Sequence, residues 1–188
     1  TIGSYIGKTD YEKMVALASG DSDEEGRKIF NFYTSQVNKD TLFVWANGNT
    51  KSNGGLFNDA YYQAGLPHLY PDLEKGWITV VGVKKKQGNT LNVHYEDGHL
   101  AYAGNAKWWA ISADADVLDS AGRIHRGSSF AAPRVARAAA LVAEKYDWMT
   151  ADQVRQTLFT TTDRTEINEN ETFTRNIISS PDSRYGWG

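Results

Sequence analysis

Sixteen residues combine a reactive side chain with a place to use it: Gly127-Ser128-Ser129-Phe130-Ala131-Ala132-Pro133-Arg134-Val135-Ala136-Arg137-Ala138-Ala139-Ala140-Leu141-Val142. A small turn delivers two serines to the start of an almost wholly apolar helix. A hydroxyl at the positive end of a helix stands where a developing oxyanion can be stabilised, so the pattern suits nucleophilic acyl chemistry. The plainer role for either serine is a helix cap. Pro133 is expected in the first turn, where the amides have no intrahelical partner to lose. Between residues 131 and 142 only Pro133, Arg134 and Arg137 interrupt the apolar run, which predicts a helix buried on most sides.

Upstream, Leu42-Phe43-Val44-Trp45-Ala46 reads as a short buried strand. It ends in Asn47-Gly48-Asn49, which taken alone is a plain Asn-Gly turn. The two segments together resemble the subtilase (subtilisin-like) serine protease family. Its serine motif reads Gly-Thr-Ser-x-Ala-Ala-Pro-x-Val-Ala-Gly, and one of its strands ends in Ala-Ala-Gly-Asn. The resemblance implies that Ser129 is the nucleophile and that the Asn49 side-chain amide donates to the tetrahedral oxyanion. It also makes Ala46, Asn47 and Gly48 candidate substrate contacts, since that backbone lines the pocket before the scissile bond in the family. Three positions depart from the pattern: Ser128 replaces threonine, Arg137 replaces glycine, and Asn47 replaces alanine.

In the family the order along the chain is Asp, His, Asn, Ser. Here His68, His94, His99 and His125 all follow Asn49, and no His-Gly-Thr segment occurs. Asp21 and Asp23 lie in a polar stretch without Asp-Ser/Thr-Gly. A serine without an adjacent base is a poor nucleophile at neutral pH. The chain starts at Thr1, which is consistent with a piece of a longer protein. The expectation is therefore that residues 1–188 form a single incomplete peptidase domain, its C-terminal part. The isolated chain is expected to be inactive. An alpha/beta-hydrolase elbow fails on order, because Ala131 holds its last glycine position and no histidine follows Ser129. His125 reads as a surface histidine.

Metal ligation finds little support. The histidines lack ligand spacing and there is no cysteine. Asp114, Asp116 and Asp119 alternate, yet a calcium loop carries more oxygen ligands and a closing glutamate, so a solvated loop is expected. No cofactor is expected, and a calcium site in the parent protein stays open. Net charge is −3, which leaves no nucleic-acid footprint. Lys84-Lys85-Lys86 reads as an exposed turn. No apolar run is long enough to cross a membrane. Six tryptophans in 188 residues supply large area for a core.

Elements that must position these residues follow from periodicity. Thr9 and Glu12 suggest a capping box before a short helix over residues 14–18, and Ser22 and Glu25 suggest another before Ile29, Tyr33 and Val37. Residues 50–76 read as a long surface excursion, 77–83 as a second buried strand and 91–95 as an edge strand or hairpin arm. Residues 107–112 read as a third strand. The serine helix is predicted over about 129–146, and Thr150 with Gln153 caps a last helix with Val154 and Leu158 inward. A hairpin is suggested near Ile177 and Ile178. Strands alternating with helices give an α/β class: a partial subtilisin-like three-layer fold with a mostly parallel sheet between helices.

A narrower likeness rests on the segment from Gly65-Leu66-Pro67-His68-Leu69-Tyr70-Pro71 through Trp77, on Ala106-Lys107-Trp108-Trp109-Ala110-Ile111-Ser112-Ala113, and on the ending Tyr185-Gly186-Trp187-Gly188. These segments resemble subtilases of the autotransporter group, despite the absent cysteine pair and Ala113-Asp114 in place of Ala-Pro-Gly. That resemblance implies secretion or a bacterial cell-surface location. Trp108 and Trp109 are expected to serve ordinary core and pocket-wall packing. The partners expected are a peptide or protein substrate and the missing N-terminal part of the same domain, with a homo-oligomer of the chain as a further outcome. The alternative function is a non-catalytic remnant that binds peptides or self-associates.

Overall fold

The computed structural model describes residues 24–49, 59–85, 91–92, 100–162 and 180–188. In order these are α1 (Glu24–Asn38), β1 (Phe43–Ala46), the short helix α2 (Tyr62–Gly65), two 3-10 segments (Leu66–His68 and Pro71–Gly76), β2 (Trp77–Lys85) and β3 (Leu91–Asn92). A further 3-10 segment (Gly104–Trp109) leads into β4 (Ala110–Asp114), the hairpin β5 (Asp116–Leu118) and β6 (Ile124–Arg126), and the helices α3 (Ser128–Lys145) and α4 (Ala151–Thr160). The proposed capping boxes at Thr9 and Ser22, the helix over 14–18 and the hairpin near Ile177 involve residues outside those described.

β2 is the spine. Its residues from Trp77 to Val81, together with Val83, are at most 1% exposed. A strand buried on both faces needs neighbours on both edges. β1 runs parallel along one, with Phe43 opposite Trp77 and Ala46 opposite Val80. β4 runs parallel along the other, with Thr79 opposite Ala110 and Val83 opposite Asp114. Lys84 and Lys85 extend β2 and pair antiparallel with β3, so they belong to the strand rather than to the expected turn. β-branched side chains at Ile78, Val80, Val81 and Val83 suit this doubly covered position.

Helices cover both faces. Ala131, Ala132 and Val135 of α3 join Ile78, Val80 and Ile111 in one core. On the opposite side Val37, Leu66, Leu73, Trp77 and Trp109 form the second. There Tyr33 of α1 meets Phe43, Trp45 and Trp77 edge-on, with ring centroids 5.4, 5.9 and 5.4 Å away. The α/β class with a parallel sheet between helices is therefore present as read from sequence.

Four further expectations change here. First, residues 59–76 are not a surface excursion: Ala60, Ala64, Leu66 and Leu73 are buried. Short helical turns conceal apolar residues that lack a long period. Second, residues 107–109 are helical and the strand starts at Ala110. Trp109 is buried and its indole N–H donates to the Ala64 carbonyl at 2.7 Å, while Trp108 is 47% exposed. Third, α3 buries one face only, through Ser128, Ala131, Ala132, Val135 and Ala139. Ala136, Arg137, Ala140 and Leu141 are exposed, because among the described residues the sheet covers a single stripe. Fourth, α3 starts early enough that Pro133 lies inside it. Pro133 has no N–H to give the Ser129 carbonyl one turn back.

The second edge of β4 is covered by the ending of the chain. Trp187 N–H donates to the Ala110 carbonyl at 2.9 Å, and Ser112 N–H to the Gly188 carbonyl at 2.8 Å. Gly186 lies at φ +72°, and a side chain there would collide with the Ala110 carbonyl. Only glycine lets the chain pass so close.

Candidate active site

The carboxyl end of β1 and the amino end of α3 meet. Parallel strands present ligands at their carboxyl ends, so this is where a site is expected. Asn47 leaves β1 fully buried. Its Nδ2 donates to the carbonyls of Ala101 at 2.9 Å and Tyr102 at 2.8 Å, and its Oδ1 accepts from Thr79 Oγ1 at 3.2 Å. The Asn47 N–H donates to the Val80 carbonyl, and its own carbonyl accepts from Tyr61 N–H. With both amide protons, the side-chain oxygen and the backbone engaged, Asn47 bolts three segments together. The carbonyl of Gly48 likewise accepts from Ala101 N–H at 3.3 Å. Asn47 and Gly48 are both buried, with their polar groups engaged inside the protein.

Gly48 sits at φ +125°, and a Cβ there would lie 2.8 Å from Cδ1 of the Tyr61 ring. Both the backbone angle and the ring require glycine. Asn49 follows. Its Oδ1 accepts from Ser128 N–H at 2.8 Å and from Ser128 Oγ at 3.0 Å. A backbone N–H can only donate, so the atom facing it is the oxygen, and the amide nitrogen of Asn49 is on the side away from the Ser128 N–H. Ser128 Oγ also accepts from Gly48 N–H at 3.1 Å.

The two serines thus divide. Ser128 is fully buried and is pinned to Gly48 and Asn49. Ser129 is exposed. Its amide, second in α3, has no intrahelical acceptor. Asn49, which grips Ser128 through its Oδ1, and the exposed Ser129 are therefore held next to one another at the start of α3. The helix N-cap is Gly127, with no side-chain capping bond. Neither serine caps the helix by its side chain. Sequence reasoning offered Ser128 as a helix cap or as a hydroxyl-bearing replacement for threonine and missed its contact with Asn49. The loop-closing Tyr61 carried no local signal at all.

The segment before the serines, read as a solvated loop, is partly the β5–β6 hairpin. Its carboxylates face arginines: Asp114 pairs with Arg134 at 3.2 Å, and Asp116 with Arg126 at 3.2 Å. His125, half-exposed as a surface histidine should be, has Nε2 at 2.9 Å from Asp119 Oδ2. Asp119 also accepts from Arg123 Nε and from the amides of Ala121 and Arg123. These bonds, the His125 contact foremost, lower its pKa to about 2. A carboxylate depressed on folding contributes order above its ordinary pKa of about 4 and loses it as pH falls through the folded value. The hairpin tip should therefore stay ordered at pH 4 and loosen toward pH 2. NMR shifts of Arg123 and His125 followed over that range check this. A midpoint near 4 would show that the staple is absent in solution.

Among the described residues no hydrogen bond reaches Ser129 Oγ, and no group of three or more His, Cys, Asp or Glu side chains is placed to hold a metal. His94 and His99 lie outside the described residues.

Comparison with known proteins adds the following. The family model described as "Subtilase family" matches residues 6–188. Serotype-specific antigen 1 of Mannheimia haemolytica is 32% identical over 164 residues, covering 80% of this chain and 15% of that protein. The Neisserial autotransporter lipoprotein NalP of Neisseria meningitidis serogroup B is 29% identical over 201 residues, covering 94% of this chain and 16% of its own length. The chain thus spans about one-sixth of these curated relatives. Among solved structures, the self-cleaved protease domain of PatA is similar at TM-score 0.49 and 21% identity, covering 71% of this chain and 46% of that one. The Prenylagaramide maturation protease PagA is similar at TM-score 0.48 and 14% identity, covering 84% and 58%.

Proposed function

We propose, from the premise that the chain belongs to the subtilase family of serine peptidases, that it carries the nucleophile and oxyanion hole of an endopeptidase domain. Ser129 Oγ attacks the peptide carbonyl, and a histidine from outside these 188 residues takes its proton. The oxyanion then lies between Asn49 Nδ2 and the Ser129 amide. The amine leaves with a proton from the histidine, and water hydrolyses the acyl-enzyme. The observation that supports this reading is the pair of bonds from Ser128 to Asn49 Oδ1, which tie the Asn49 side chain to the residue before Ser129 and leave Nδ2 as its remaining donor. Ala46, Asn47 and Gly48 would wall the pocket for the residue before the scissile bond.

The N-terminal part of the same domain is the proposed occupant of the open flank. Among the described residues β1 pairs with β2 alone, so its other edge can accept a strand. Beside that edge lies a groove of about 350 Å³, lined by Leu42, Val44, Ala136, Ala140, Ala143 and Met149 among others. An apolar groove next to an open edge suits a strand followed by a helix. The same edge favours the alternative, self-association of a non-catalytic remnant. A clean monomer of the isolated chain in solution would count against that alternative. Autotransporter relatives support export to the cell surface for the parent protein.

A fluorophosphonate probe tests the mechanism. The full-length protein should label stoichiometrically, with the adduct mapped by mass to Ser129 rather than Ser128. The isolated 188-residue chain should label far more slowly, because it lacks the base. Fast labelling of the isolated chain, or peptide hydrolysis by a full-length protein that the probe does not touch, would overturn it.

A further inference from the structure

We infer that Tyr61 is a positioning residue that sets the aim of the Asn49 amide, an inference resting on the oxyanion reading of Asn49. Tyr61 takes hold of three successive residues with three different groups. Its N–H donates to the Asn47 carbonyl at 2.8 Å. Its ring fills the space beside Gly48 that any Cβ would need. Its phenol Oη donates to the Asn49 carbonyl at 2.6 Å.

The third contact matters most. Ser128 fixes only the far end of the Asn49 side chain, at Oδ1. With the main-chain end loose, the peptide could rotate and carry Nδ2 along an arc while keeping its Ser128 bonds. The Tyr61 phenol fixes that main-chain end. With both ends held, the donor direction is set before a substrate arrives. Donors that need no reorganisation are the ones that stabilise a transition state most. Misplacing a reacting or stabilising group by a fraction of an ångström is costly in rate and not in ground-state binding.

Tyr61 lies twelve positions after Asn49, across residues outside those described, so no motif connects them. Its bond to the Asn49 carbonyl exists only because the chain returns to the end of β1 and enters α2 there. Phenylalanine in its place keeps the ring against Gly48 and the backbone bond to Asn47, and removes the phenol bond to the Asn49 carbonyl.

The experiment is a double-mutant cycle in the full-length protein, with kcat and KM measured separately for wild type, Tyr61→Phe, Asn49→Ala and the double variant. Tyr61→Phe should lower kcat by about tenfold with KM unchanged and the melting temperature lowered by no more than about 4 °C. In the Asn49→Ala background the same change should have no further effect on kcat, since there is no donor left to aim. An unchanged kcat in Tyr61→Phe overturns the inference. So does a tenfold loss that persists without Asn49, which would mark a merely structural role. If Asn49→Ala leaves kcat intact, the oxyanion reading itself fails, whatever Tyr61 does.

Discussion

Ser129→Ala should abolish peptide hydrolysis by the full-length protein, a loss of about five to six orders of magnitude in kcat, on a scale carried over from a subtilase whose serine was removed. No other side chain of this chain can replace the attacking oxygen, so what remains is the catalysis available from binding and the oxyanion hole. The variant should keep its melting temperature, because Ser129 is exposed and its hydroxyl makes no hydrogen bond among the described residues. Ser128→Ala should behave in the opposite way. Its hydroxyl is buried and bonded to Gly48 N–H and Asn49 Oδ1. Removing it leaves a buried amide unpaired, which costs about 1–3 kcal/mol of stability. Activity should fall only partly, since the nucleophile is untouched. Peptide hydrolysis by the purified variant, alongside thermal unfolding, separates the two serines. An active Ser129→Ala would place the nucleophile elsewhere.

Asn49→Ala should lower kcat by about two to three orders of magnitude with little change in KM, as expected for a donor that bonds the oxyanion more strongly than the ground-state carbonyl. Asn49→Asp sharpens the test. A carboxylate can still accept from Ser128 N–H and Oγ, so the local scaffold of 2.8 and 3.0 Å bonds is retained. What it loses is the outward donor, and it sets a negative charge beside a developing negative charge. The loss in kcat should therefore match or exceed that of alanine, while stability stays closer to wild type. Steady-state kinetics on both variants decides the matter. An aspartate variant that retains activity would show that Asn49 serves the scaffold and not the transition state.

These expectations rest on features of different legibility. Ser129 and Asn49 stood out in the sequence because each lies in a short run whose own conformation positions it: an apolar strand that ends, and an apolar helix that begins. The helix α4 was readable for the same reason, with Thr150 and Gln153 forming the reciprocal cap that their spacing announces. Residues 59–76 were misread because their turns are too short to show a period, although Leu66 and Leu73 are core. The hairpin before the serine was missed because its strands have three residues each, too few for alternation to register.

Local order, chemical type and family membership were thus encoded in neighbouring residues, where backbone preference and apolar periodicity act over a few positions. The division of labour between Ser128 and Ser129 was not. It depends on a bond spanning 79 positions to Asn49. Likewise nothing near Asn47 in sequence announces that the carbonyls 54 and 55 positions away take both its amide protons. Two adjacent serines are nearly equivalent as letters. Only the packing of α3 against the end of β1 buries one as a pin and leaves the other exposed, because hydrogen bonds between distant segments exist only once the sheet has brought those segments together.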